Sequence, residues 1–250
     1  MSEKQIEKNK KKIPAHTWIS VVVICLMIPV VLLASRYFGN RKYYLCSMLL
    51  IILSMVPFFL SFEKRKPEAR EIVTLAVMCA IAVASRAAFI MLPHFKPLKP
   101  LVGIVIITGM AFGAEAGFLT GAVSAFVSNF IFGQGPWTPW QMFAYGIAGF
   151  LAGLLTHAGI LKKDKNVPAA IFGGLEVLLV TGPLLDTCSL FLMTNEINRE
   201  SAAAIYASGL PVNATHALAT FLTILLLEKP IMEKLDRIKV KYGMMEEDEA

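Results

Sequence analysis

Apolar runs long enough to cross a bilayer recur along almost the whole chain, at about residues 17–35, 44–62, 72–91, 101–114, 116–133, 140–161, 168–193 and 203–228. Backbone surrounded by lipid must satisfy its own polar groups, and roughly 20 residues of helix do so while spanning the hydrocarbon. Eight such runs predict an all-α integral membrane protein. Composition agrees, because 56% of the 250 residues are hydrophobic and only 17% are charged, too apolar for an ordinary soluble domain. A cleaved signal peptide would explain one short run near the start and not eight, so none is expected. The fourth and fifth runs nearly merge around Glu115, and a miscount there would invert every later loop.

The net charge of +6 does not indicate nucleic acid, since the basic residues sit in short clusters between apolar runs, as topology determinants do. With the amino terminus inside, 17 of the 24 lysines and arginines fall on inner segments, including Lys64, Lys66, Arg70, Lys162, Lys163 and Lys165. Both termini are therefore expected in the cytoplasm. Three connections then face outward: LPHFKPLKP (92–100), the stretch FGQGPWTPWQMFAYG (132–146) and NEINRE (195–200). The four cysteines, Cys25, Cys46, Cys79 and Cys188, lie inside apolar runs without CxxC spacing and read as packing residues. No low-complexity linker divides the chain. Its expected parts are a basic tail (1–16), two additional transmembrane helices (17–69), a six-helix core (70–228) and a solvated tail (229–250).

Two series of small residues repeat every four positions. Ala76, Ala80, Ala84 and Ala88 share one face of the third run, and Gly109, Gly113, Gly117 and Gly121 cross the junction at Glu115. Such a strip lets another helix approach closely. For the glycines the tight connection favours packing between their own two helices; for the alanines, spacing alone fits an internal neighbour and a separate protein equally.

Polar residues inside apolar runs are candidates for function. Arg86, near the outer end of the third run, and Asp186, at similar depth in the seventh, are an expected pair; snorkelling of Arg86 to the interface is the bland alternative. Glu176 has no evident partner. In SGLPVNATHALAT (208–220), Pro211 removes a helix hydrogen bond while Asn213, His216 and Thr220 fall near one face, a pattern that suits either a cavity wall or a satisfied interhelical histidine. Asn129 near the outer end of the fifth run has the same two readings.

The stretch FGQGPWTPWQMFAYG is the most unusual connection. Trp137 and Trp140 suit an interfacial anchor, but their neighbours ask for more. Gly133 and Gly135 permit tight turns, Pro136 and Pro139 stiffen the loop, and Gln134, Thr138 and Gln141 set hydrogen-bonding groups beside aromatic faces, with Tyr145 one turn further on. Rigid aromatics with a few oriented polar groups are what a small-molecule site requires. Phe95 in the preceding outer loop is a further contact candidate. The chain has no GxxxxGK[ST], HExxH or GxSxG motif, so neither ATP hydrolysis nor a familiar hydrolase mechanism is assignable. No inverted repeat marks a secondary transporter. A membrane-embedded binding subunit that borrows an ATPase fits these presences and absences.

Residues 70–228 resemble the substrate-binding S component of an energy-coupling factor (ECF) vitamin transporter, through the strip Ala76, Ala80, Ala84 and the outward loop FGQGPWTPWQMFAYG. The resemblance implies a multi-pass protein of a prokaryotic cell membrane with no cofactor of its own. It implies docking of the strip against a transmembrane coupling protein that carries two ATPases consuming ATP. It also implies capture of a vitamin by the outer loops and neighbouring helix ends. The candidate contacts are Arg86, Phe95, Asn129, Gln134, Trp137, Thr138, Trp140, Gln141, Tyr145, Asp186, Asn213 and His216. GPWTPWQMF most resembles S components assigned to cobalamin, and a cobalt-centred ligand can accept a histidine such as His94 or His216. Other vitamins share the scaffold, and two other classes remain open: an integral membrane enzyme using Arg86, Asp186 and His216, and a purely structural subunit.

Overall fold

The computed structural model describes residues 42–64, 66–89, 98–163, 165–194 and 196–243. Among them are seven helices and no strands: α1 (Lys42–Lys64), α2 (Ala69–Ala88), α3 (Leu101–Phe112), α4 (Ala114–Phe132), α5 (Thr138–His157), α6 (Asn166–Met193, with a π-helical segment at Val177–Thr181) and α7 (Arg199–Tyr242). They correspond to the second to eighth apolar runs. The first run, 17–35, lies outside the described residues. Four of the seven, α2, α4, α6 and α7, are long and apolar enough to cross a membrane by length and composition, and α3 is a shorter apolar helix. The protein is therefore an all-α integral membrane protein.

α3 reads LVGIVIITGMAF, with no polar face, and a helix that is apolar all round belongs in the middle of a bundle. Leu101 through Ala111 are all buried, and α2, α4, α5 and α7 pack around them. The feared junction is sharp rather than ambiguous. Gly113 takes φ 95°, ψ 176°, backbone that only glycine adopts without strain, so α3 stops and α4 starts back beside it.

The glycine series packs internally. A Cβ on Gly109 would lie 2.1 Å from the Gly149 carbonyl oxygen, and one on Gly117 would lie 2.4 Å from the same atom. The backbones of α3, α4 and α5 thus touch directly. The alanine strip behaves oppositely: Ala76, Ala80, Ala84 and Ala88 are all exposed, while Leu75, Met78, Ala82 and Val83 carry α2 into the core.

The additional helix α1 is not detached. Its Phe58 ring stacks on Phe118 of α4 at 3.9 Å and meets Phe150 of α5 edge-on at 5.1 Å. Cys188 is buried and Cys79 half-buried, both as free thiols, which suits packing residues.

α7 differs most from expectation. It runs unbroken through Pro211 and Pro230 for 44 residues, about 66 Å at 1.5 Å per residue, against a hydrocarbon thickness of about 30 Å. The segment expected to be a solvated tail after Glu228 therefore continues as helix to Tyr242 and buries Met232 and Leu235. Its short amphipathic pattern, with Met232 and Leu235 three apart, holds it down. Lys239 donates to the Ala111 carbonyl at the end of α3, and Arg70 donates to the Tyr242 carbonyl. These contacts define one end of the bundle. The other end gathers the close of α2, α4 and α6 with the start of α5 and α7.

Candidate functional site

At that second end, the GPWTPW connection is fixed by its own hydrogen bonds. Gly133 ends α4 with φ 98°, and Pro139 sits in the first turn of α5, where its missing N–H costs nothing. Thr138 Oγ1 accepts from Asn129 Nδ2 (3.1 Å) and the Gly135 amide (3.2 Å) and donates to Gln134 Oε1 (2.9 Å). A hydroxyl has one donor and two acceptor positions, and all three are used. Gln134 Nε2 in turn donates to the Phe126 carbonyl at 2.9 Å, and Trp137 Nε1 to the Gly133 carbonyl at 3.3 Å. Trp137 is 40% exposed and Trp140 only 2%. The two tryptophans therefore play different parts: Trp137 lies at the surface, and Trp140 packs inside against Phe191 of α6 at 5.7 Å.

Asn129 is the hub of a network joining three helices. Its side-chain oxygen accepts from Arg86 Nη1 of α2 (3.2 Å), and its amide donates to Thr138 and to Gln141 Oε1 of α5 (2.9 Å). Arg86 Nη1 also donates to Ser128 Oγ at 2.5 Å, and the guanidinium lies 4.1 Å from the Phe132 ring centre. The expected Arg86–Asp186 pair does not form. Asp186 Oδ2 instead accepts from Asn213 Nδ2 of α7 at 2.7 Å. The reason lies in the neighbours: a Cβ on Gly209 would sit 2.3 Å from Asp186 Oδ1, so this glycine draws α7 against the carboxylate. Snorkelling does not occur either, because Arg86 is only 5% exposed. Thr187 Oγ1 and Tyr206 Oη, 2.6 Å apart, add a second link between α6 and α7.

Deeper in the bundle, His216 packs edge-on against Tyr145, with centroids 6.1 Å apart, and lies within electrostatic range of Lys99 and Arg86. Glu176 does find a partner, Thr181 Oγ1 at 3.0 Å in the π-helical segment. Asn213, His216 and Thr220 do share a buried face of α7, although the helix does not break at Pro211. Phe95 and His94 lie outside the described residues. Sequence reasoning missed Ser128, Lys99 and Gly209. A serine beside Asn129 in an apolar helix was the one available signal; the others depend on which helices become neighbours.

Most polar atoms here are satisfied, which makes the exceptions informative. Arg86 Nε, Trp140 Nε1, His216 Nε2 and Thr220 Oγ1 are buried without a hydrogen-bond partner. An unpaired buried polar atom costs roughly 1–3 kcal/mol; two at the loop end, on Arg86 and Trp140, and two deeper on α7 suit a ligand that completes them. Alongside, a groove of 490 Å³ opens between Ile52, Val56 and Phe59 of α1 and Gln134, Thr138 and Pro139. Arg86, Asp186 and His216 do not form a catalytic constellation, since each of the first two is bonded to different neutral side chains.

Replacing Asn129 by leucine removes one of the two acceptors of Arg86 and two donated bonds at once. The expected result is a loss of ligand affinity of roughly 10- to 100-fold with the bundle still folded, from hydrogen bonds worth about 1–3 kcal/mol with a charged partner. Equal affinity in wild type and Asn129→Leu, measured by titration in detergent, would show that the network does not shape the site.

No solved structure matches this chain. A model of one protein family does, described as ECF-type riboflavin transporter, S component, over residues 66–233. That range takes in α2 to α6 and most of α7, and with them every element that builds the polar end. The match, over two thirds of the chain, makes it a transporter's substrate-binding subunit and not an enzyme: it belongs to the family of ECF-type riboflavin transporter S components.

Proposed function

We propose that this chain captures a vitamin at the end of the bundle closed by the GPWTPW loop and delivers it to a coupling protein driven by two ATPases. The observation that carries this reading is the group of four buried polar atoms without partners, Arg86 Nε, Trp140 Nε1, His216 Nε2 and Thr220 Oγ1. The further contacts proposed for the ligand are Asn129, Gln141, Tyr145, Asp186 and Asn213. ATP is consumed by the partners, and the chain carries no cofactor. Ala76, Ala80 and Ala84 form the docking strip. The proposed setting is a prokaryotic cell membrane, and the lysine and arginine distribution supports a loop on the outside with both termini in the cytoplasm.

For the vitamin, the proposal is cobalamin or a related corrinoid. GPWTPWQMF resembles S components of that kind, and the unpartnered His216 Nε2 is a group that a cobalt centre accepts. Riboflavin is the second reading, favoured by the description of the matching family. Native mass spectrometry of the purified chain, with cobalamin, riboflavin, thiamin, folate and biotin in competition, separates them. One-to-one cobalamin binding is the expected result. Selective binding of riboflavin would discard the corrinoid and retain the capture role; a folded sample that binds no vitamin would overturn capture itself.

A further inference from the structure

Arg86 is a cation in an unusual position. It is 5% exposed, and its hydrogen-bond partners are the neutral Ser128 and Asn129, with the face of Phe132 against the guanidinium. A buried charge is ordinarily paired with an opposite one, because transfer from water is costly and neutral partners return only part of that cost.

Among the described residues no carboxylate fills this place. At the loop end of the described bundle the acids are Asp186, bonded to Asn213, and the exposed Glu196 and Glu200. The outer connections beyond the described residues add none, since neither 36–41 nor 90–97 contains an aspartate or glutamate. The guanidinium Nε remains without a partner, held in place by the two bonds that Nη1 makes. A fixed, buried, unneutralised cation with a free donor is suited to a compact anion.

We propose that Arg86 is an anion subsite that receives a phosphate ester of the bound vitamin. This rests on the vitamin-capture reading and narrows it: the ligand carries negative charge at one point, beside an aromatic body that packs on Trp140 and Tyr145. Ser128 and Asn129 are positioning residues that aim the guanidinium, and the same Asn129 sets Thr138 and Gln141 of the loop. Anion binding and loop geometry are thereby tied to one side chain.

The test uses the full chain in detergent and two ligand pairs that differ only by a phosphate: riboflavin against its phosphate monoester, and cobinamide against cobinamide phosphate. The phosphate-bearing member of the pair that binds should do so roughly 10- to 100-fold more tightly, the worth of a charge-assisted hydrogen bond. Added salt should shrink that preference. Arg86→Gln, checked for folding by its thermal transition, should weaken the phosphate-bearing member at least about tenfold more than the phosphate-free one, so that the preference is lost. If wild type binds both members equally, or if Arg86→Gln weakens both to the same extent, Arg86 is structural and the subsite is wrong while capture stands. If folded wild type binds no vitamin, capture falls and the subsite with it.

Discussion

Ala80→Phe is expected to leave vitamin binding within about twofold and to cut uptake on the order of 100-fold, the loss that follows removal of a contact worth roughly 3 kcal/mol at the centre of an interface. The separation of the two effects comes from where the strip lies. Ala76, Ala80 and Ala84 are exposed, and the opposite face of α2 does the internal packing through Leu75, Met78, Ala82 and Val83. A phenyl ring at position 80 therefore points away from the described core of its own bundle. It would hold a partner helix away from a surface that four-residue spacing of small side chains keeps smooth. Uptake of labelled vitamin by cells or proteoliposomes containing the coupling protein and ATPases checks one half, and titration of the isolated chain the other. Retained uptake would place the docking surface elsewhere, and lost binding would mean that α2 shapes the site more directly than its exposure suggests.

The second large effect is on folding. Gly109→Ala should destabilise the bundle by roughly 3 kcal/mol, the upper part of the range for overpacking, because the new methyl would stand 2.1 Å from a backbone oxygen of Gly149. A flexible side chain can swing aside; a carbonyl inside a helix cannot move without shifting α5. Gly174→Ala is the matched control, since its nearest neighbour would be 3.7 Å away, and the gain in helix propensity is worth up to about 1 kcal/mol. Thermal unfolding in detergent should show the first variant well below wild type and the second at or above it. Similar transitions for both would mean that α3 and α5 are less tightly joined than these distances indicate.

Much of the architecture was legible in the chain because lipid imposes a severe rule on it. Backbone in hydrocarbon must close its own hydrogen bonds, so each long apolar run had to be a helix, and α1 to α7 lie where the runs lie. The end of α7 escaped this reasoning. Beyond Glu228 the sequence is charged, and the pair Met232 and Leu235 that anchors it is too short a pattern to separate from a solvated helix.

The candidate site was legible in part and for a similar reason. Proline, glycine and tryptophan together marked the loop, and its rigidity follows from local bonds such as those of Thr138 to Gln134 and Gly135. Partnership across helices was not legible. Arg86 and Asp186 were matched by depth alone, and depth does not say which faces meet; the glycine at position 209 and the Ser128–Asn129 pair decided that, taking each charge to a different neighbour.

The two small-residue series show the division most plainly. Both repeat every four residues, so sequence by itself determined that each forms a smooth strip on one helix face. Only the tertiary structure decided that the glycines close α3, α4 and α5 upon one another while the alanines of α2 stay uncovered. Periodicity fixes the direction a side chain takes from its own axis, whereas the identity of what lies in that direction is set by the packing of all the helices together.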